Sequence, residues 1–310
     1  MMNLTTRYLG LTLAHPFMPG ASPLTENLDT VCRLEDAGAA AIVMHSLFEE
    51  DIHDGAAAFD MYLEQVLRIK RRVRVPLIAS LNGSNAEGWL QYARLLARAG
   101  ADALELNYYY VATDAREDGR AVEGRLLDIV AVLKESVTLP IAVKLSPFYS
   151  ALPNLAWQLD RIGADGLILF SRFHQPDIDP RALEGELRID LSSSADLLTP
   201  LRWTAILAKR FDASIALSGG VHEPIDGVKA VLAGADAVQI VSALLRGGPE
   251  RLTAIRTGFE RWAESNGYDH IDQMRGRMSL EGDGAHATER SLYKRRLKSW
   301  HAAGAPVAGH

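Results

Sequence analysis

At 310 residues the chain has room for one (β/α) barrel of ordinary size with loops to spare. Its 33 basic and 39 acidic residues leave a net charge of −6 without a dense basic stripe, which argues against nucleic acid or an anionic membrane as partner. The single cysteine, Cys32, excludes an internal disulfide and a cysteine metal cluster; no run is apolar enough to span a bilayer, and residues 1–13 lack the form of a signal peptide, so a cytoplasmic protein without a metal site is expected.

Along the chain the first apolar run is Phe17-Met18, followed by a helical pattern of Leu28, Val31, Cys32 and Leu34, in which Cys32 reads as a small core residue. Then comes Ala37-Gly38-Ala39, the first of four related phrases. The others are Ala99-Gly100-Ala101-Asp102, Ile162-Gly163-Ala164-Asp165 and Ala233-Gly234-Ala235-Asp236. Each opens onto an apolar run: Ala41-Ile42-Val43-Met44, Ala103-Leu104-Glu105-Leu106, Gly166-Leu167-Ile168-Leu169 and Ala237-Val238-Gln239-Ile240. The glycines lie 62, 63 and 71 residues apart, the length of two βα units, and glycine in the left-handed conformation is how a helix ends before a tight turn into a strand. Between the copies lie Pro76-Leu77-Ile78-Ala79, Pro140-Ile141-Ala142-Val143 and Ser214-Ile215-Ala216-Leu217. With Phe17-Met18 these make eight strands, and an α/β fold of the (β/α)8 TIM-barrel type is their natural closure.

Helix signals fit between the strands. Ser84-Asn85-Ala86-Glu87 has capping-box spacing ahead of Trp89, Ala93, Leu96 and Ala99. His222-Glu223-Pro224 opens another helix, with Ile225, Val228 and Leu232 expected to face inward. About 43 residues separate the sixth strand from the seventh, well beyond the usual connection, so residues 172–198 read as a lid. The barrel is expected over residues 1–282. Residues 283–310 read as a basic, frayed tail in which Leu292, Lys294, Arg295, Arg296, Leu297, Lys298 and Trp300 could form a short helix.

Chemistry in such a barrel sits at the C-terminal ends of the strands. Those ends read Ala21-Ser22, His45-Ser46, Asn82-Gly83, Asn107-Tyr108-Tyr109-Tyr110, Lys144, Phe170-Ser171-Arg172, Ser218-Gly219-Gly220 and Val241-Ser242. Strands seven and eight form the customary phosphate corner, where backbone N–H groups at Gly219 and Gly220 can approach an anion, although a glycine pair alone also serves a plain tight turn. Lys144 follows an apolar strand and, by alternation with Ala142, is expected to point into the mouth, where a lone ammonium needs a negative partner.

In order and spacing, these segments resemble the flavin-dependent dihydroorotate dehydrogenases over roughly residues 4–280. The resemblance rests on His15-Pro16-Phe17-Met18-Pro19, Ile42-Val43-Met44-His45-Ser46, Glu105-Leu106-Asn107, Val143-Lys144-Leu145, Ser218-Gly219-Gly220-Val221 and residues 234–240. It implies an FMN across the mouth, held by Ala21, Ser22, His45, Ser46, Asn107, Lys144, Ser171, Gly219, Gly220, Val241 and Ser242, with Lys144 beside the pyrimidine edge of the flavin. It also implies a small-molecule CH–CH substrate of pyrimidine biosynthesis and an external electron acceptor, and it leaves a homodimer open. The departures fall on the substrate. Tyr110 stands where the family places a Cys or Ser base, Ala112 and Phe170 replace amides, His45 replaces a lysine, Val241 replaces a common phosphate-loop glycine, and the loop after the second strand is shortened to residues 49–59. Asn107, Tyr108 and Phe170 would line a more aromatic substrate pocket, with Tyr110 and Lys144 catalytic. A phenol is a poor base near neutral pH without a cationic neighbour. By alternation, Tyr109 and the Tyr108/Tyr110 pair cannot all face the flavin. Two other readings stay open: a flavin-free lyase or isomerase using the same corner for a phosphorylated substrate, and a flavin-binding protein without dihydroorotate activity.

Overall fold

The computed structural model describes residues 2–53, 56–84, 89–173, 175–186, 190–280 and 285–299. Among these, eight parallel strands form one nearly closed barrel: β1 (Phe17–Pro19), β2 (Ile42–Phe48), β3 (Leu77–Gly83), β4 (Ala103–Tyr108), β5 (Ile141–Leu145), β6 (Gly166–Leu169), β7 (Ser214–Ser218) and β8 (Ala237–Ile240). Seven neighbouring pairs form a continuous ladder, and at the seam Ala40 N–H donates to Phe17 C=O at 3.1 Å. The helices outside are α1 (Leu28–Asp36), α2 (Ala56–Lys70), α3 (Trp89–Arg98), α4 (Gly119–Ser136), α5 (Leu152–Arg161), α6 (Leu198–Leu207), α7 (Pro224–Ala233) and α8 (Glu250–Ser265).

The repeated phrase does what its glycine implies: Gly38, Gly100, Gly163 and Gly234 have φ of 87°, 92°, 91° and 119°. The aspartate that ends three of the copies adds a second function. Its N–H donates to a carbonyl at the start of the preceding strand, and its carboxylate accepts that same residue's N–H: Asp102 with Leu77, Asp165 with Ile141, Asp236 with Ile215. The first copy has Ala40 there, and the corresponding N–H, of Phe17, is taken by His15 Nδ1 at 3.2 Å.

Two apolar layers follow from strand alternation. Met18, Val43, Ile78, Ala103, Ala142, Ile168, Ala216 and Ala237 fill the barrel, whose lower end is plugged by Tyr8, Leu9 and Leu13 from a hairpin (Thr6–Tyr8, Leu11–Leu13). The larger residues on the other strand faces, such as Ile42, Leu104, Val143 and Leu217, pack under the helices. Strands β2, β3 and β4 run on past the apolar runs 41–44, 76–79 and 103–106, through His45–Phe48, Ser80–Gly83 and Asn107–Tyr108.

Some local expectations change. Cys32 is half-buried rather than core. On α7, Val228 is buried as expected but Ile225 is 43% exposed, and Asp226 turns in beside Val228 to accept Ser194 O–H at 2.6 Å and the N–H groups of His222 and Glu223. The proposed capping box falls on Asn85, Ala86 and Glu87, outside the described residues, while Trp89, Ala93 and Leu96 are buried. The lid carries a hairpin (Asp177–Asp179, Glu184–Glu186) whose first strand is exposed, and a 3-10 turn, Ser194–Leu197. The tail contains a helix, Ala285–Ser299, tied to the barrel by Arg202–Glu289; Trp300 and residues 301–310 lie outside the described residues.

Candidate active site

The barrel interior turns polar just below its mouth. Lys144 on β5 places Nζ 3.0 Å from Glu105 Oε1 on β4 and 3.3 Å from Gln239 Oε1 on β8. Gln239 Nε2 donates to the second Glu105 oxygen at 2.7 Å, and all three side chains are buried. A buried ammonium and a buried carboxylate can coexist here because each neutralises the other and the amide ties them together. Two of the three ammonium donors are used by Glu105 and Gln239, which leaves one for a molecule above.

Around this cluster lies a ring of small polar groups. Asn107, opposite Lys144 in the ladder, accepts Ser171 O–H at 3.0 Å, so its amide N–H2 is left to donate. Asn82 pairs with Asn107 in register, and Ser46 and Ser80 bond each other at 2.8 Å. Ser22 Oγ, beside Ala21 at the end of β1, is buried without a partner among the described residues.

The corner at β7 and β8 is a cradle of backbone. Gly219 and Gly220 have φ of 100° and 78°, and a side chain at Gly219 would meet nothing within 4 Å. Gly220 has no such room, since a Cβ would lie 2.2 Å from Leu197 N. The far end of the lid folds onto this corner. Ser192 N–H donates to Ser242 Oγ at 3.0 Å, and Ser192 Oγ lies 3.4 Å from Gly220 N and 3.1 Å from His222 Nε2. Arg246 holds the carbonyls of Ser192 and Leu191 at 2.7 and 2.9 Å. Val241 precedes a short helix, Ser242–Gly247, and its side chain is fitted against Gly20, where a Cβ would lie 2.9 Å from Val241 Cγ2.

The three tyrosines divide between two sides. Tyr108 packs with the outer layer under the helices, and Tyr110 lies beside it with ring centroids 6.1 Å apart. The Tyr110 hydroxyl donates to Glu117 at 2.7 Å, Arg125 also binds Glu117, and the Arg125 guanidinium sits 4.6 Å from the Tyr110 ring centroid. Strand alternation puts Tyr108 on the face of β4 opposite Asn107, under the helices, while Tyr110, past the end of β4, is engaged by Glu117 and Arg125. Burial pushes the Tyr108 phenol up, with Arg125 opposing. Tyr109 takes the other side, stacked on Phe173 of the lid at 4.2 Å and 15°, with Phe148 edge-on to Phe173. Phe170 is buried at the end of β6.

His45 stands on β2. A register shift between Val43 and Ser46 interrupts the β2–β3 ladder, and the Tyr62 hydroxyl fills the gap, accepting Ser80 N–H at 2.9 Å and donating toward the carbonyls of His45 and Ser80. The His45 ring stands edge-on to Tyr62 at 5.0 Å, at an open groove of about 830 Å³ between α1 and α2. Burial lowers its pKa from the ordinary imidazole value, with Glu26 and Asp51 pulling the other way.

Sequence reasoning assigned no role to Glu105, Gln239, Ser192 or Arg246. The first two carry a legible signal, each being the one polar residue in an apolar strand run; Ser192 opens the Ser192-Ser193-Ser194 run of the lid.

The family model described as dihydroorotate dehydrogenase matches residues 53–262. The chain is 27% identical over 303 residues to the catalytic subunit of a dihydroorotate dehydrogenase B (NAD(+)) from Thermoplasma acidophilum, covering 89% of this chain and 99% of that protein. It is 28% identical over 228 residues to the corresponding subunit from Desulforamulus reducens, covering 71% and 74%. It is also 22% identical over 317 residues to the NAD-dependent dihydropyrimidine dehydrogenase subunit PreA of Escherichia coli, covering 88% and 76%.

Proposed function

The chain belongs to the dihydroorotate dehydrogenase family and is an oxidoreductase of that type; on that premise, we propose that its cofactor is FMN, bound non-covalently across the mouth. The observation that carries the reading is the Lys144–Glu105–Gln239 cluster beneath a glycine-built anion corner.

The donor set suits that cofactor. The N–H groups of Gly219 and Gly220 with the Ser242 hydroxyl would hold the phosphate, with Val241 shaping the turn. Ser22, Ser46, Asn107 and Ser171 would meet the ring system, with Ala21 giving it room. When bound, the flavin supplies the two-electron chemistry, accepting or returning a hydride. Lys144 would stabilise negative charge that develops on the ring, and Glu105 and Gln239 hold its ammonium in place. The remaining N–H2 of Asn107 orients the substrate. The substrate is a small CH–CH compound related to the dihydropyrimidines named for the relatives. Electrons leave to an external acceptor.

Acid release of the purified protein, followed by chromatography, should give about one FMN per chain. Colourless protein that also takes up no added FMN refutes the proposal and favours a flavin-free lyase or isomerase.

A further inference from the structure

We infer that the mouth selects an uncharged, planar ring and discriminates against a ring that carries a carboxylate; this rests on the flavin reading above.

The ends of three consecutive strands supply an aromatic wall. Tyr109 after β4 and Phe173 after β6 stack at 4.2 Å and 15°, and Phe148 after β5 meets Phe173 edge-on at 5.5 Å and 82°. Phe170, at the end of β6, is 7% exposed. Such a surface favours a flat ring, because stacked and edge-on contacts both require planarity.

The charges point the same way. Among the described residues Lys144 is the one buried lysine or arginine, and Glu105 already neutralises it at 3.0 Å. Arg172, which leaves β6 toward the lid, is held 3.5 Å from Asp196. Arg125 is bound to Glu117 on the helix side of β4. Among the described residues, a carboxylate entering this mouth would give up its water and find no buried cation beyond Lys144, already matched by Glu105. A neutral ring loses nothing comparable, and its carbonyl can accept from the amide N–H2 of Asn107.

Orotate and uracil isolate the variable, since they share a ring and differ by one carboxylate. Both would be titrated into the full chain after its flavin content has been measured, following the flavin absorption band. Uracil should bind at least about tenfold more tightly than orotate. Tyr109→Ala should weaken uracil by about tenfold, whereas Tyr109→Phe, which keeps the ring, should bind it as the parent does. Flavin-loaded protein that prefers orotate, treats the two alike or takes neither overturns this inference alone. Protein that takes up no flavin overturns the flavin reading, and this inference with it.

Discussion

Lys144 and Glu105 are each tolerable in the barrel only because the other is present. Removing the ammonium alone leaves a carboxylate at 0% exposure with one amide for company. Lys144→Met should therefore destabilise the fold by about 3–5 kcal/mol. Adding Glu105→Gln removes the stranded charge and should restore most of that loss. Urea unfolding reads both. Flavin reduction should stay slow in both variants, because neither has a cation beneath the ring, while Lys298→Met on the exposed tail helix should leave stability and reduction unchanged. If Lys144→Met alone is as stable as the parent, the pairing has no energetic weight. The lysine is legible in the sequence because it ends an apolar run. Its partners are not, because they lie 39 and 95 residues away and only barrel closure brings them together. The tyrosines were legible as a group, but one residue of parity decides which of them faces the mouth.

At the scale of elements, the strands and their order can be read from the Gly-Ala turns. Each turn combines a helix end that needs positive φ with a strand that needs apolar residues, and both demands are local. The lid is different. Its length is visible in the sequence, but its docking is not, since Arg246 grips backbone carbonyls and carbonyls leave no trace in residue type. The two bonds from Arg246 to Leu191 and Ser192, at 2.9 and 2.7 Å, fix the end of the lid against the phosphate corner. Charge-assisted bonds of this kind contribute about 1.5–3 kcal/mol each. Arg246→Ala should free the segment. Limited proteolysis should then cut within residues 175–186 faster than in the parent, and the flavin dissociation rate should rise by about tenfold or more. Arg181→Ala, at the tip of the lid hairpin, should change neither. Equal cleavage and equal dissociation in Arg246→Ala would mean that the lid holds its place without this anchor.

For the molecule as a whole, stability depends on how the barrel closes between β1 and β2. Three of the four repeated turns fasten a strand with an aspartate, and the fourth uses His15 instead. His15 Nδ1 accepts Phe17 N–H while Nε2–H donates to Gly38 C=O at 2.7 Å, so the ring must be neutral to make both bonds. Burial, the largest cause, lowers its pKa from 6.5 to about 4, with the Gly38 bond opposing. Between those values the unfolded chain binds a proton that the folded chain does not. Stability from this residue is thus complete above pH 6.5 and is lost as the pH falls toward about 4, by up to about 3 kcal/mol. Other groups titrate in the same window, so the test is the difference between parent and His15→Gln in urea unfolding across that range. The variant should be less stable near pH 7.5, and the gap should narrow steadily on acidification. A gap that stays constant from pH 7.5 to pH 4.5 would show that the seam closes without a neutral histidine.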